Sequence, residues 1–396
     1  MLGVHRLLKS AMLAGLLAVI PAVASGQHYQ QTNLVSNVPK EFPNPGNTPV
    51  VKLDPALQNP WGLVAGPGTP FWDSNNASGT STLYDGAGAL VPLNQGGQTF
   101  NGMPVPQNGI LVPNAPSQPA PGSPTGVMFN GSGTDFLIHG NPAIFIFATE
   151  DGTISGWAPT ATGGNFLSAI LAVDNSQFPN AKDGAVYKGA TIAEIHGKKF
   201  ILAANFRSGQ IDAFDSKFRP VNLDSDAFDD DEMPKNFAPF NVQGIGPNIY
   251  VTYAKQDAAK HDPVGGAGLG RVSIFSPEGK LLGRLENGSF FNAPWGVVLA
   301  PGTFGEFSHS LLVGNFRSGT IVAFNPLTGK FLGLVLGIKS KNPVRIDGLW
   351  ALVFGNDSNN APATTLYFTA GPNKEKNGLF GMLTPDPNEQ GENDEQ

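Results

Sequence analysis

Five oxygen-bearing side chains, Asp73, Glu150, Asn205, Asn315 and Asp347, each stand where an apolar run gives way to turn residues. Asp, Glu and Asn oxygens are what a hard cation such as Ca²⁺ takes as ligands, so this set is a candidate metal site. The same residue types are also the ordinary currency of tight turns, and turn chemistry explains them equally well. Two arginines, Arg207 and Arg317, lie inside identical pentapeptides, Asn-Phe-Arg-Ser-Gly, at 205–209 and 315–319. Such a pair suits bidentate capture of an anion, or ion pairing between neighbouring units. Tyr253, Lys255 and Asp257 open a polar insertion, Ala254–Leu269, that also holds Lys260, His261 and Asp262. Long loops on rigid scaffolds are where binding contacts concentrate.

Other chemistries fall away on composition. The chain of 396 residues has no cysteine, so a thiol nucleophile and a disulfide framework are both excluded. Of its six histidines, His5 lies in the leader, His28 near the start of the mature chain, and His139, His196 and His309 on turns facing away from the candidate site. His261 alone remains beside that site, too few for a histidine-ligated zinc centre. No G-x-S-x-G elbow and no phosphate-binding loop are present. The formal net charge is −7, without a Lys/Arg cluster, which argues against nucleic acid as a partner. The acidic run Asp224–Glu232 lacks the glycine and terminal glutamate spacing of an EF-hand.

The elements that must position these residues are short strands. Fifty glycines and 34 prolines punctuate β-prone runs, and no long helical period is visible. The stretch 292–335 reads as four strands separated by PGTFGEF, NFRSG and NPLTGK. A glycine followed by a small or apolar residue then recurs at Gly62, Gly126, Gly189, Gly244, Gly296 and Gly348, at spacings between 52 and 64 residues. A period near 50 with four strands per unit is the signature of an all-β, six-bladed propeller. The anchor glycines would line its channel, where six strands crowd, and Trp61 and Trp295 would pack between blades.

The last unit supplies only three strands, Leu349–Phe354, Thr364–Thr369 and Gly378–Leu383. The missing outer strand is expected from Gln31–Val35, which would close the ring. In blade one the outer strand is expected at Ala89–Leu93, with 94–124 a surface loop. On this plan one face gathers the metal candidates together with Arg207, Arg317, Tyr253, Lys255 and Asp257.

The N-terminus reads as a signal peptide over 1–24: basic His5, Arg6 and Lys9, an apolar run Ala11–Ile20, and a small-residue cleavage site at Ala22-Val23-Ala24. The mature chain is therefore expected to be secreted or periplasmic, with no membrane span, a propeller over 25–384 and a disordered acidic tail over 385–396.

Five stretches carry a family resemblance: Gln31–Ser36, Asn59–Gly62, Tyr250–Asp257, Asn292–Gly296 and Ile346–Trp350. Through them the chain resembles the conserved hypothetical family of secreted bacterial six-bladed propellers, with NHL-like repeats, some of whose members end in a PEP-CTERM sorting signal. The resemblance spans residues 31 to about 384 and implies fold and export, not chemistry. No PEP motif follows Leu383, so a sorting anchor is not expected. The leading expectation is a monomeric, non-catalytic propeller binding a small molecule, a glycan or an envelope protein. The alternative is a Ca²⁺-dependent hydrolase of lactonase type, and a third reading is a structural envelope protein.

Overall fold

The computed structural model describes residues 27–42, 44, 52–160, 166–338 and 342–389. The expected signal peptide lies outside them. Six antiparallel sheets follow one another along the chain. Blade 1 runs Pro60–Val64, Phe71–Asn75, Thr80–Tyr84 and Gly109–Leu111; blade 2 begins at Pro124–Phe129, blade 3 at Tyr187–Ile195, blade 4 at Phe237–Ile245, blade 5 at Pro294–Leu299 and blade 6 at Leu349–Phe354.

The ring closes as the sequence implies. His28–Ser36 pairs antiparallel with Leu379–Pro385, in register Gln31 to Leu383, as the outer strand of blade 6. Beyond the strand, the backbone N–H of Asp386 donates to the carbonyl of His28 (2.8 Å), and His28 N donates to Glu389 (2.7 Å). Residues 386–389 of the expected tail are thus tied to the first strand, and 390–396 lie outside the described residues. Tyr29 anchors the same strand in blade 5: it packs on Phe304 and Phe307 and donates its hydroxyl to the Phe304 carbonyl (2.9 Å).

Four of the six anchor glycines, Gly62, Gly126, Gly189 and Gly296, do what a narrow channel requires; a Cβ on Gly244 would meet nothing nearer than 3.4 Å, and Gly348 precedes its strand, packed on Gly371 of the same blade. A Cβ on Gly62 would stand 2.6 Å from the carbonyl oxygen of Thr125 in blade 2, and one on Gly296 2.6 Å from that of Trp350 in blade 6. Only a missing side chain lets those backbones approach.

A further expectation needs correction. The outer strand of blade 1 is Gly109–Leu111; in the Ala89–Leu93 stretch Leu90 makes only an isolated bridge to Tyr84. Trp61 of blade 1 and Trp295 of blade 5 pack against neighbouring blade 6, as expected, each ring lying against Trp350. They meet across the channel, where Trp61 stacks on Trp350 with centroids 3.6 Å apart and Trp295 sits edge-on at 6.3 Å from Trp61. Phe316 stacks on the other side of Trp350 at 3.9 Å, and Phe240 packs beside both tryptophans. Aromatic rings from several blades therefore plug the channel.

Candidate functional site at the channel mouth

Above this plug sits one lysine. Lys188 precedes anchor Gly189, the place that Trp61 and Trp295 hold before Gly62 and Gly296. Its side chain is fully buried, and Nζ lies 5.2 Å from the Trp61 ring centroid and 5.9 Å from that of Phe206. A cation over an aromatic face is held by the ring quadrupole, more strongly when desolvated. Trp295 fixes the backbone by donating its indole N–H to the Lys188 carbonyl (2.8 Å).

Two carboxylates complete the ammonium's shell. Glu150, on the turn between the second and third strands of blade 2, accepts a hydrogen bond from Lys188. Asp262, from the blade-four insertion, accepts another at 3.2 Å. Asn76 donates to the second oxygen of Glu150 (2.8 Å). The insertion thus reaches over the mouth. The hydrogen bond between His261 and Asp262 (3.1 Å), with Lys188 beside it, holds the Asp262 carboxyl well below the usual range. Asp262 stays largely exposed, at 61% of its side chain.

A second arc of the mouth comes from blades 5 and 6. Arg317 donates to the Pro263 carbonyl (3.2 Å), lies over Phe316 and approaches Glu375 (3.9 Å). Burial raises the Glu375 carboxyl, and Arg317 opposes that rise. Asn59 donates to Glu375 (3.3 Å) while accepting from the Trp350 indole (3.0 Å). The mouth therefore carries both signs of charge on a rigid aromatic base.

The expected ring of metal ligands is not brought together. Of the five candidates, only Glu150 belongs to a group of ligating side chains, and its companions are His261 and Asp262, with ligating atoms within 4.8 Å of one another. Asp73 is wholly buried inside blade 1, bonded to Thr82 and Asn75, and burial pushes its carboxyl well up. The side-chain oxygen of Asn205 accepts from Val186 N, and that of Asn315 from Asn292 N. Asp347 accepts from Asn373 N (2.8 Å). Asp73 thus ties two strands of blade 1 together, and the other three serve turns and strand ends. Moreover, Lys188 places a fixed positive charge between Glu150 and Asp262, where a divalent ion would have to stand, so the residues present do not fit Ca²⁺ at this point.

The ligand candidates divide likewise. Arg317 is at the mouth. Arg207 is half-buried and donates to the Gly184 carbonyl (2.9 Å). Tyr253 is buried in blade 4 with its hydroxyl toward the Phe228 carbonyl (3.4 Å), so it offers nothing to a ligand on the face. Asp257 accepts from His261 N and shapes the insertion, and the Lys255 carbonyl accepts from Val264 N at its base. The acidic run is also committed: Asp230 takes Arg284 (2.6 Å) and Ser273 (2.6 Å). Lys188, Asn76 and Glu375 were missed by sequence reasoning. The available signal was a lysine at an anchor where two other blades carry tryptophan.

The fold and site define a six-bladed β-propeller with a plugged channel and a charged mouth. No family model matches the chain. It is 30% identical over 345 residues to the uncharacterized protein R648 of Acanthamoeba polyphaga mimivirus, covering 84% of this chain and 76% of that protein. A second mimivirus protein, uncharacterized L690, is 28% identical over 86% of this chain and 83% of its own length. The chain belongs to the family of the first of these proteins. Among solved structures, a structural genomics protein of unknown function from Bacteroides thetaiotaomicron superposes with a TM-score of 0.50 at 10% identity, covering 90% of this chain and 76% of that one. That likeness concerns the fold alone. No helix among the described residues is long and apolar enough to cross a membrane.

Proposed function

We propose that the protein is an exported, non-catalytic binding propeller whose channel-mouth face holds a hydroxyl-rich ligand, a glycan of the cell envelope. The observation that carries this reading is Lys188, buried between Glu150 and Asp262: the mouth's central cation is covalently part of the chain. Around it, Asp262, Glu375 and Arg317 remain partly accessible. Carboxylate oxygens accept from sugar hydroxyls, and a guanidinium donates to them in a fixed fork. The leader-like segment 1–24 supports export, and the resemblance to secreted propellers supports it further.

The test is retention of soluble envelope glycans on immobilised protein. The wild type retains a glycan, and the Asp262→Ala/Arg317→Ala double variant loses it while melting as a folded protein. Failure of the wild type to retain any glycan overturns the reading. A Ca²⁺-dependent hydrolase is the contrary reading: the Glu150–His261–Asp262 grouping is its support, and Lys188, paired with Glu150 and Asp262, stands against it. Ester or lactone cleavage that EDTA abolishes would establish it instead.

A further inference from the structure

Away from the channel, blade 1 contains a cavity of about 590 Å³. That volume lies within the roughly 300–1,000 Å³ typical of small-molecule sites. The cavity exists because the chain does not pass directly from Tyr84 to the outer strand. It detours through 85–108, forms the hairpin Thr99–Phe100 with Met103–Pro104, and returns as Gly109–Leu111. The detour arches over the segment at 54–58 and the turn at 78–80. Leu90, Met103, Val105, Leu111 and Pro121 give the walls their apolar character. Prolines on both sides fix the backbone, so a ligand would meet a shaped wall.

One polar group on that wall stands apart. Asp54 is only 3% exposed, and it forms no ion pair among the described residues. Its Oδ2 accepts from the Tyr84 hydroxyl (2.7 Å) and from Asn108 (2.8 Å), and its Oδ1 accepts from Ala56 N (2.9 Å). A carboxylate has about four acceptor positions, so one on Oδ1 remains open. Behind Tyr84 the chain of hydrogen bonds continues through Thr82 (2.8 Å) to Asp73 (2.9 Å). Asp73 does not line the cavity, so Asp54 is the acid that a cation there would meet. A buried acid without a counter-ion is costly, and an incoming ammonium would relieve that cost.

We infer that this cavity is a binding site for a small hydrophobic amine, its ammonium on Asp54 and its apolar body against Leu90, Met103, Val105 and Leu111. The site is separate from the channel mouth and does not rest on the glycan reading.

Calorimetric titration with three probes of one shape tests it: tryptamine, tryptophol and indole-3-acetate. The wild type should bind tryptamine at least about tenfold tighter than tryptophol, the worth of roughly one charge-assisted contact, and indole-3-acetate weakest. Asp54→Asn should make tryptamine and tryptophol equal. Met103→Trp, which fills the cavity, should abolish binding of all three. Asp262→Ala/Arg317→Ala should leave tryptamine binding unchanged. If Asp54→Asn does not fold, the order of the three probes on wild type and the Met103→Trp result decide. Absence of tryptamine binding, equal or tighter binding of indole-3-acetate, or binding that survives Met103→Trp overturns the inference.

Discussion

Lys188 and Trp61 hold the same place in two different blades, one residue before the anchor glycine, and they meet over the channel with Nζ 5.2 Å from the indole centroid. The repeat therefore supplies a structural position, and one blade has replaced an aromatic plug residue with a charge. A buried ammonium is tolerated there because Glu150, Asp262 and two aromatic faces surround it.

This arrangement ranks three substitutions. Glu150→Gln leaves the buried ammonium with only the exposed Asp262 and should cost about 3–5 kcal/mol, as when a buried pair is broken. Lys188→Met leaves a carboxylate that water can still reach and should cost about 1–3 kcal/mol. Asp262→Asn should cost under about 1 kcal/mol, because its side chain is mostly in solvent. Urea unfolding of the three variants checks the order. A larger cost at Asp262 than at Glu150 would show that the insertion, rather than the blade-2 turn, holds the lysine.

Stability should also carry a signature of Asp151, next to Glu150. Burial pushes its carboxyl from 3.8 up to about 6, opposed by the hydrogen bond from Ser123 N (2.9 Å). Between those values the folded chain binds a proton that the unfolded chain has released. The contribution of Asp151 is therefore present at low pH and lost as pH rises through about 4 to 6. Asp262 acts in the opposite sense: its lowered carboxyl adds stability above the unfolded value of 3.8, and that gain disappears as pH falls. Relative to wild type, Asp151→Asn should become progressively more stable from pH 4 to pH 6. Urea midpoints at unit pH steps measure this, and a constant difference would contradict it.

The ring's latch gives a third expectation. Tyr29 is buried between Phe304 and Phe307, so Tyr29→Ala should cost about 3–5 kcal/mol, as for other large buried aromatics. Removing residues 27–36 should do more than destabilise. It bares the edge of Leu379–Pro385, and an uncovered edge templates association between chains. Light scattering of the truncated protein should rise with concentration. A truncated protein that stays monomeric and melts like wild type would show that the closure contributes little.

The architecture was legible because repetition is a global signal. Six anchor glycines and one incomplete last unit together specified the ring and its closing strand, and each could be checked against the others. The outer strand of blade 1 was not legible. Ala89–Leu93 and Gly109–Leu111 are both short and apolar, and local pattern cannot say which one returns to the sheet edge. The site was half legible. Placing Glu150, Arg317 and the insertion on one face followed from the strand plan. Turn residues such as Asn205, Asn315 and Asp347 looked identical to ligands in sequence, and only their hydrogen-bond partners separate the two roles. Asp73 was misplaced because a strand residue's side chain can bond to the neighbouring strand of its own blade as readily as face the channel mouth.

The central claim is that Lys188, not a metal, is the cation of the channel mouth. The direct test is calorimetric titration of Ca²⁺ into EDTA-stripped wild-type protein. The account predicts no saturable binding below about 1 mM, a range that spans cytosolic and many extracellular calcium sites. A single site tighter than about 10⁻⁴ M that disappears in Glu150→Gln would contradict it.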